Sequence, residues 1–212
     1  MDLKCDLLGY QKGWVVLATR KFSGFTLIEL VVVLAIFGVL MAIGVPQFTT
    51  WIQNSKIRTA THAIQDGLQL ARGEAVRRNA VIRFQLTTSI DSGCALSTVD
   101  VNWVVSLDDP TGACETSIND AFAISDAVNN PAPRVIQKRS ASEGSSRVIA
   151  NSNQTFVAFN GLGRLSGVAP TALSIDVSPS TGTARDLRVT VTAGGQIRMC
   201  DPALPTGDPQ RC

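Results

Sequence analysis

Between Phe25 and Val45 the chain runs for twenty-one residues with one charge, Glu29, and one other strongly polar side chain, Thr26. As a helix rising about 1.5 Å per residue, this run spans roughly 31 Å, the thickness of a bilayer's hydrocarbon core. Arg20 and Lys21 stand just before it, which predicts a cytoplasmic N-terminus and places everything after Pro46 on the far side. A carboxylate four residues into such a span costs about 2.5–3.5 kcal/mol at the bilayer centre and less near the surface. Glu29 therefore calls for a compensating partner.

The residues at this edge, Lys21-Phe-Ser-Gly24 followed by Phe25-Thr-Leu-Ile-Glu29, resemble the class III signal of type IV pilins and type II secretion pseudopilins. The resemblance implies cutting after Gly24 by the prepilin peptidase, a membrane enzyme, and N-methylation of the new terminus, Phe25. It also implies that Glu29 pairs with the free amine of a neighbouring subunit entering the filament. Two buried charges would then neutralise each other and fix the register.

The whole chain carries a formal charge of +2. Residues 1–24 hold Lys4, Lys12, Arg20 and Lys21 against Asp2 and Asp6; taking these from nineteen basic and seventeen acidic groups leaves fifteen of each. A processed chain is thus neutral, which argues against a global basic field for nucleic acid. Charge is nonetheless segregated. Asp91 to Asp126 contains seven acidic residues and no Lys or Arg, whereas the stretch after the span carries Lys56, Arg58, Arg72, Arg77 and Arg78 against Asp66 and Glu74.

Cys5 falls in the leader, and four cysteines remain in the outward-facing part, where disulfides persist. Of three pairings, Cys94–Cys114 and Cys200–Cys212 are favoured because each closes a short local loop, typically worth about 3 kcal/mol. No C-x2-C spacing occurs and there is one His, so no metal site is expected.

A leader of twenty-four residues with acidic Asp2 and Asp6 departs from the short basic leaders of the family. Either it is unusually long or the true start lies downstream. Gly38 and Pro46 weaken the helical ladder. Such residues recur in the family, where the segment between them can unwind on assembly; the plainer reading is a kink where the helix leaves the membrane. Ile57, Ala60, Ile64, Leu68, Ala71 and Ala75 step by three or four, predicting one apolar stripe to about Arg78, with Asn79 as the stop. The segment Gln69-Leu-Ala-Arg72-Gly-Glu74-Ala-Val-Arg77-Arg78-Asn79 resembles the helix end of the GspH/FimT branch. Locally, Glu74 and Arg78 make an i,i+4 pair and Arg77 and Arg78 suit a helix C-terminus.

Beyond Ala80 the period changes. Strands are predicted at 81–86, 101–105, 134–138, 147–150, 155–159, 173–177, 187–192 and 196–200, separated by Gly, Pro and Ser. They imply one or two antiparallel sheets laid against the helical stripe, with much of 94–133 as surface loop.

Phe159-Asn-Gly161-Leu-Gly163-Arg164-Leu-Ser-Gly167 has the glycines of a dinucleotide loop, but Val168-Ala-Pro170 follows and opens no helix. A turn is expected, and the segment resembles one that GspH/FimT proteins carry. His62 reads as a helix-surface residue. No nucleophile–base arrangement is evident, and neither an enzyme nor a cofactor is expected. The last hairpin, Leu187 to Cys200, resembles that of DNA-binding FimT-like members, in which a Gly-Arg-x-Arg stretch holds DNA. Here the positions read Gly195-Gln196-Ile197-Arg198, one arginine short. Arg188, Arg198 and Arg211 are the candidate phosphate contacts, blunted by Asp186, Asp201 and Asp208; DNA is not favoured as a partner.

The expected architecture is pilin-like α+β: a leader over 1–24, a membrane half-helix over 25–45, a periplasmic half-helix over 46–79 and a disulfide-tied β domain over 80–212. The expected role is a structural minor subunit, first in the inner membrane and then in a pilus or pseudopilus. Its partners would be the peptidase and other minor and major pilins or pseudopilins. DNA capture for natural transformation is the alternative.

Overall fold

The computed structural model describes residues 24–144, 146–167, 172–182 and 184–212, and the backbone alone at 43 and 45–47. The expectations for leader residues 1–23 and for Val168–Pro170 lie outside the described residues, as does the Pro46 side chain. The chain divides into two units, Met1–Gly44 and Val45–Cys212.

Helix α1 (Leu27–Arg78) has fifty-two residues. It starts where Thr26 caps it. The Thr26 Oγ1 accepts the Glu29 backbone N–H at 3.3 Å, and the Thr26 carbonyl accepts the Leu30 N–H at 3.2 Å. That satisfies donors which a helix start otherwise leaves open, in the geometry of a T-x-x-E cap. The helix ends at Asn79, whose φ of 48° turns the chain out of the helix. The Ala80 N–H then reaches the Ala75 carbonyl at 3.2 Å, and the Asn79 N–H the Val76 carbonyl at 3.3 Å. Both bonds belong to a Schellman closure, for which Asn is one of the few non-glycine residues suited. The helix is continuous through Gly38 and position 46.

In the second unit eight strands follow: β1 (Ile82–Thr87), β2 (Asn102–Ser106), β3 (Val135–Arg139), β4 (Val148–Ser152), β5 (Phe156–Phe159), β6 (Leu173–Pro179), β7 (Leu187–Val191) and β8 (Ile197–Cys200). They form two four-stranded antiparallel sheets, ordered β3-β2-β1-β5 and β4-β6-β7-β8. Ile57, Ala60, Ile64, Leu68, Ala71 and Ala75 are all buried, and one apolar cluster joins them to inward residues of both sheets. On the first sheet these include Ile82, Phe84, Leu86, Trp103 and Val105; on the second, Ala150, Leu173, Ile175, Val177, Val189 and Val191. The strict alternation along β6 shows which way the pleat faces: Leu173, Ile175 and Val177 are buried, while Ser174, Asp176 and Ser178 are not.

The helix approaches the first sheet closely at Gly67. A methyl there would lie 2.8 Å from the Phe84 ring and 3.0 Å from the Trp103 indole, whose centroids stand 5.8 Å apart. Phe84 is 1 % exposed and Trp103 4 %, so neither ring can retreat. Replacing Gly67 by valine is expected to destabilise the purified protein by about 1–3 kcal/mol, read from denaturant unfolding. An unchanged midpoint would mean that the aromatic pair yields.

A smaller cluster of Cys94, Val104, Cys114 and Val135 sits beneath the acidic loop. Cys94 is bonded to Cys114 and Cys200 to Cys212. The second bond folds the C-terminal residues back over β8: Asp201 N–H donates to the Gln210 carbonyl at 2.9 Å, and Arg198 Nη2 to the Pro209 carbonyl at 2.8 Å. At the opposite edge of that sheet, the Ala150 and Ser152 N–H groups donate to the Val99 and Thr98 carbonyls at 3.2 and 2.8 Å. Residues 98–99 thus lie along the outer strand β4, and the tail pairs with Asp201 just beyond the end of β8.

Candidate functional site

Two features carry chemistry that folding alone does not require: the start of α1 and the junction of the helix end with two turns. At the first, Gly24 to Glu29 are exposed. Among the described residues no basic group lies within ion-pair distance of the Glu29 carboxylate. Its position in the first turn suits the positive end of the helix dipole, but the Thr26 hydroxyl already meets the backbone N–H of Glu29. Among the described residues the helix start thus leaves the carboxylate without an ionic partner.

From Phe25 to Met41 every large apolar side chain is exposed, including Phe25 at 80 % and Leu27 at 82 %. A helix apolar on all sides demands a cover of lipid or other helices. Among the described residues no helix is long and apolar enough to cross a membrane; the Ile43 and Val45 side chains, inside the expected span, are not among them.

At the junction, the glycines of the 160s turn serve close packing. Asn160 organises the turn: its backbone accepts the Gly163 N–H at 2.8 Å, and its Oδ1 accepts the N–H groups of Leu162 and Arg164 at 3.0 and 3.2 Å. Arg72 on α1 donates from Nε to the Gly163 carbonyl at 3.0 Å. A side chain at Gly161 would overlap Asn79, and one at Gly195, in the β7–β8 turn, would overlap the Gly163 carbonyl oxygen. The Leu165 N–H reaches the Ala193 carbonyl at 3.2 Å. Helix end, 160s turn and last hairpin are thereby locked together at three glycines, and Leu162 is left 80 % exposed at the tip.

The arginines singled out in the last hairpin have internal partners. Arg188 is bound to Asp176 across the β6–β7 ladder at 2.5 and 3.0 Å. Register places Arg188 opposite Cys200 and Thr190 opposite Arg198, so Arg188 and Arg198 share the outward face as diagonal neighbours. Arg198 is tied to the Pro209 carbonyl and Arg211 to the Thr206 hydroxyl. Asp176 could not be assigned to Arg188 from sequence, because the pairing depends on strand register. Arg185, which sequence reasoning passed over, pairs with the buried Asp201. His62 is exposed on α1, and among the described residues no group of three or more His, Cys, Asp and Glu is placed to hold a metal.

Two carboxylates are held low by arginine. Burial pushes the Glu74 carboxyl up, but the Arg77 and Arg78 hydrogen bonds outweigh it and hold it below the ordinary value. Arg78 also reaches Asp120 in the acidic loop at 3.2 Å. Asp108 is gripped by the Arg134 guanidinium at 2.7 and 2.8 Å, which holds its carboxyl below the usual range against the opposing effect of burial; the Arg134 backbone N–H assists at 3.0 Å. A lowered folded-state value means that the pair's contribution is complete above the unfolded value of about 4 and is lost as pH falls through the folded one. Asp108→Asn should therefore destabilise the protein by a constant amount at neutral pH, with the gap to wild type closing below about pH 4. Thermal melts across that range test this; a gap that stays constant down to acid unfolding would contradict the assignment.

The family model for the type II transport protein GspH matches residues 60–195, and that for the prokaryotic N-terminal methylation motif matches residues 19–45. The match over the helix end, strands β1 to β7 and the glycine junction defines a pilin-like subunit. The chain belongs to the GspH family. No curated protein matches it by sequence. Among solved structures it is similar to the Pseudomonas aeruginosa type IV minor pilin FimU, at 19 % identity and a TM-score of 0.44, covering 74 % of this chain and 94 % of that one. It is also similar to Escherichia coli GspH, at 14 % identity and a TM-score of 0.41, covering 74 % and 95 %.

Proposed function

We propose that this chain is a minor structural subunit of a type IV pilus or of a type II secretion pseudopilus. Residues 1–24 act as the leader, 25–45 cross the inner membrane, 46–79 continue the helix on the periplasmic side, and 80–212 form the globular part. Prepilin peptidase cuts between Gly24 and Phe25 and methylates Phe25. Glu29 meets the amine of an adjacent subunit on entry to the filament, and the segment between Gly38 and Pro46 loosens as the helix packs among its neighbours. The subunit primes or caps assembly, with its β domain touching other minor pilins. Its role is structural rather than enzymatic.

The observation that carries this reading is the methylation-motif match over residues 19–45 followed, in one chain, by the GspH match over 60–195. The exposed apolar helix agrees with it. Mass spectrometry of the protein extracted from membranes tests it. The N-terminal peptide is expected to begin with N-methylphenylalanine at Phe25; a peptide beginning at Met1 would overturn the reading.

A further inference from the structure

Phe48 and Trp51 lie one helical turn apart, with ring centroids 5.8 Å apart and planes inclined by 25°. They are 60 % and 65 % exposed. The β domain reaches the helix beside them without covering them. Gln53 Nε2 donates to the Thr181 carbonyl at 3.5 Å, Lys56 Nζ donates to the Ser146 hydroxyl at 3.3 Å, and Ile52, Gln53 and Lys56 are half-buried. The face of α1 that carries Phe48, Trp51 and Ser55 is left open.

We propose that this face seats the subunit on the lipid headgroup layer at the periplasmic surface of the membrane. The inference rests on the reading of 25–45 as a span. The hydrocarbon core is about 30 Å thick and the whole bilayer about 40–45 Å, so the headgroup layer is roughly 5–7.5 Å deep on each side. Counting from Val45 at about 1.5 Å per residue, Phe48 stands roughly 4.5 Å out and Trp51 roughly 9 Å out. The Phe48 backbone therefore lies within that layer and the Trp51 backbone just beyond its outer edge, with both side chains slanting back toward the membrane. Indole suits it because one edge is apolar and the other carries an N–H that needs a polar partner.

A second observation points the same way. Beside the aromatic pair is a groove of about 260 Å³ lined by Gln53, Lys56, Arg147 and Thr181 among others, with two cations and no acidic residue among its described lining. Helical side chains slant toward the N-terminus, so the Lys56 stem carries its ammonium back toward the membrane. By the same count the Lys56 backbone stands roughly 16.5 Å out, so the groove's two cations face the headgroup layer from its aqueous side, where anionic headgroups attract them over about a Debye length.

The test uses the full chain with Trp14→Phe, reconstituted in phosphatidylglycerol-containing vesicles. Of the two remaining tryptophans, Trp103 is 4 % exposed, so added quenchers report on Trp51; the Trp51→Phe chain supplies the background. A spin label at the top of the acyl chain should quench Trp51 at least about twofold more than one at the chain end, and more than aqueous acrylamide. Lys56→Glu combined with Arg147→Glu should weaken that quenching in anionic vesicles and leave it unchanged in phosphatidylcholine. Full quenching by acrylamide in chains that float with the vesicles would overturn the proposal and leave the span standing. Failure to float would remove the span, and the proposal with it. Shielding that vanishes on dilution to one chain per vesicle would assign the cover to a second subunit and overturn the proposal. Equal quenching by the double variant and the parent in anionic vesicles would remove the cationic groove from it.

Discussion

A Glu29→Leu chain will be cut, methylated and retained in the membrane like the parent, yet will be nearly absent from sheared filaments. Leucine removes the cost of placing a carboxylate in the span, about 2.5–3.5 kcal/mol at the centre, so insertion is no worse. The helix start also survives, because the Thr26 hydroxyl accepts the backbone N–H of residue 29 whatever side chain that residue bears. What is lost is the proposed contact with the neighbour's amine. Removing one partner of a buried ion pair costs about 3–5 kcal/mol, because the other charge is left without compensation. At 1.4 kcal/mol per tenfold, that amounts to a drop in incorporation of more than about a hundredfold. Glu29→Asp, with a shorter reach, should fall between the two. Incorporation of the leucine variant at the parental level, measured by immunoblot of sheared filaments, would sink the proposed pairing while leaving the fold untouched.

The second large effect is expected at the glycine junction. Gly195→Ala should destabilise the protein by about 3 kcal/mol or more, whereas Gly194→Ala should change it by less than about 1 kcal/mol. The two positions are adjacent in one turn but differ physically. Gly195 has φ of 82°, a backbone conformation that costs an L-residue about 1–2 kcal/mol, and its added methyl would overlap the Gly163 carbonyl oxygen. That carbonyl cannot move aside cheaply, because the Arg72 Nε–H holds it at 3.0 Å. A methyl on Gly194 meets nothing nearer than the Thr192 hydroxyl at 3.9 Å. Denaturant unfolding of the two variants side by side is the measurement. Equal midpoints would show that the turn and the 160s segment separate freely, contrary to the packing described.

The difference between those neighbours marks where the sequence is legible and where it is not. The stripe from Ile57 to Ala75 could be read because a helix repeats its buried face every three to four residues, and all six expected positions are buried. The eight strands could be read because alternation and turn residues are local signals; their ends differ by a residue or two, as at β6, which runs on to Pro179. Asn79 as the helix stop was legible for the same reason. Gly67 was not, because its need for a missing side chain is created by Phe84 and Trp103, which are distant in sequence. Gly161, Gly163 and Gly195 could be read as turn formers but not as three sides of one junction. Arg188 could be flagged as a cation on the last hairpin, yet its charge is met by Asp176 only because β6 and β7 pair in that register. At the N-terminal segment the legible signal was chemical rather than periodic: one acid in an apolar run.

The covered margins of the second sheet bear on how such subunits polymerise. A bare outer strand is a template on which any similar chain can add by backbone pairing, and crowded copies in one membrane would meet often. Here the disulfide-held tail pairs at the end of β8 and residues 98–99 lie along β4. Growth by adding strands to this sheet is thereby hindered along β4 and at the end of β8. On the proposed reading, joining is then left to the N-terminal helix once its leader has been cut away.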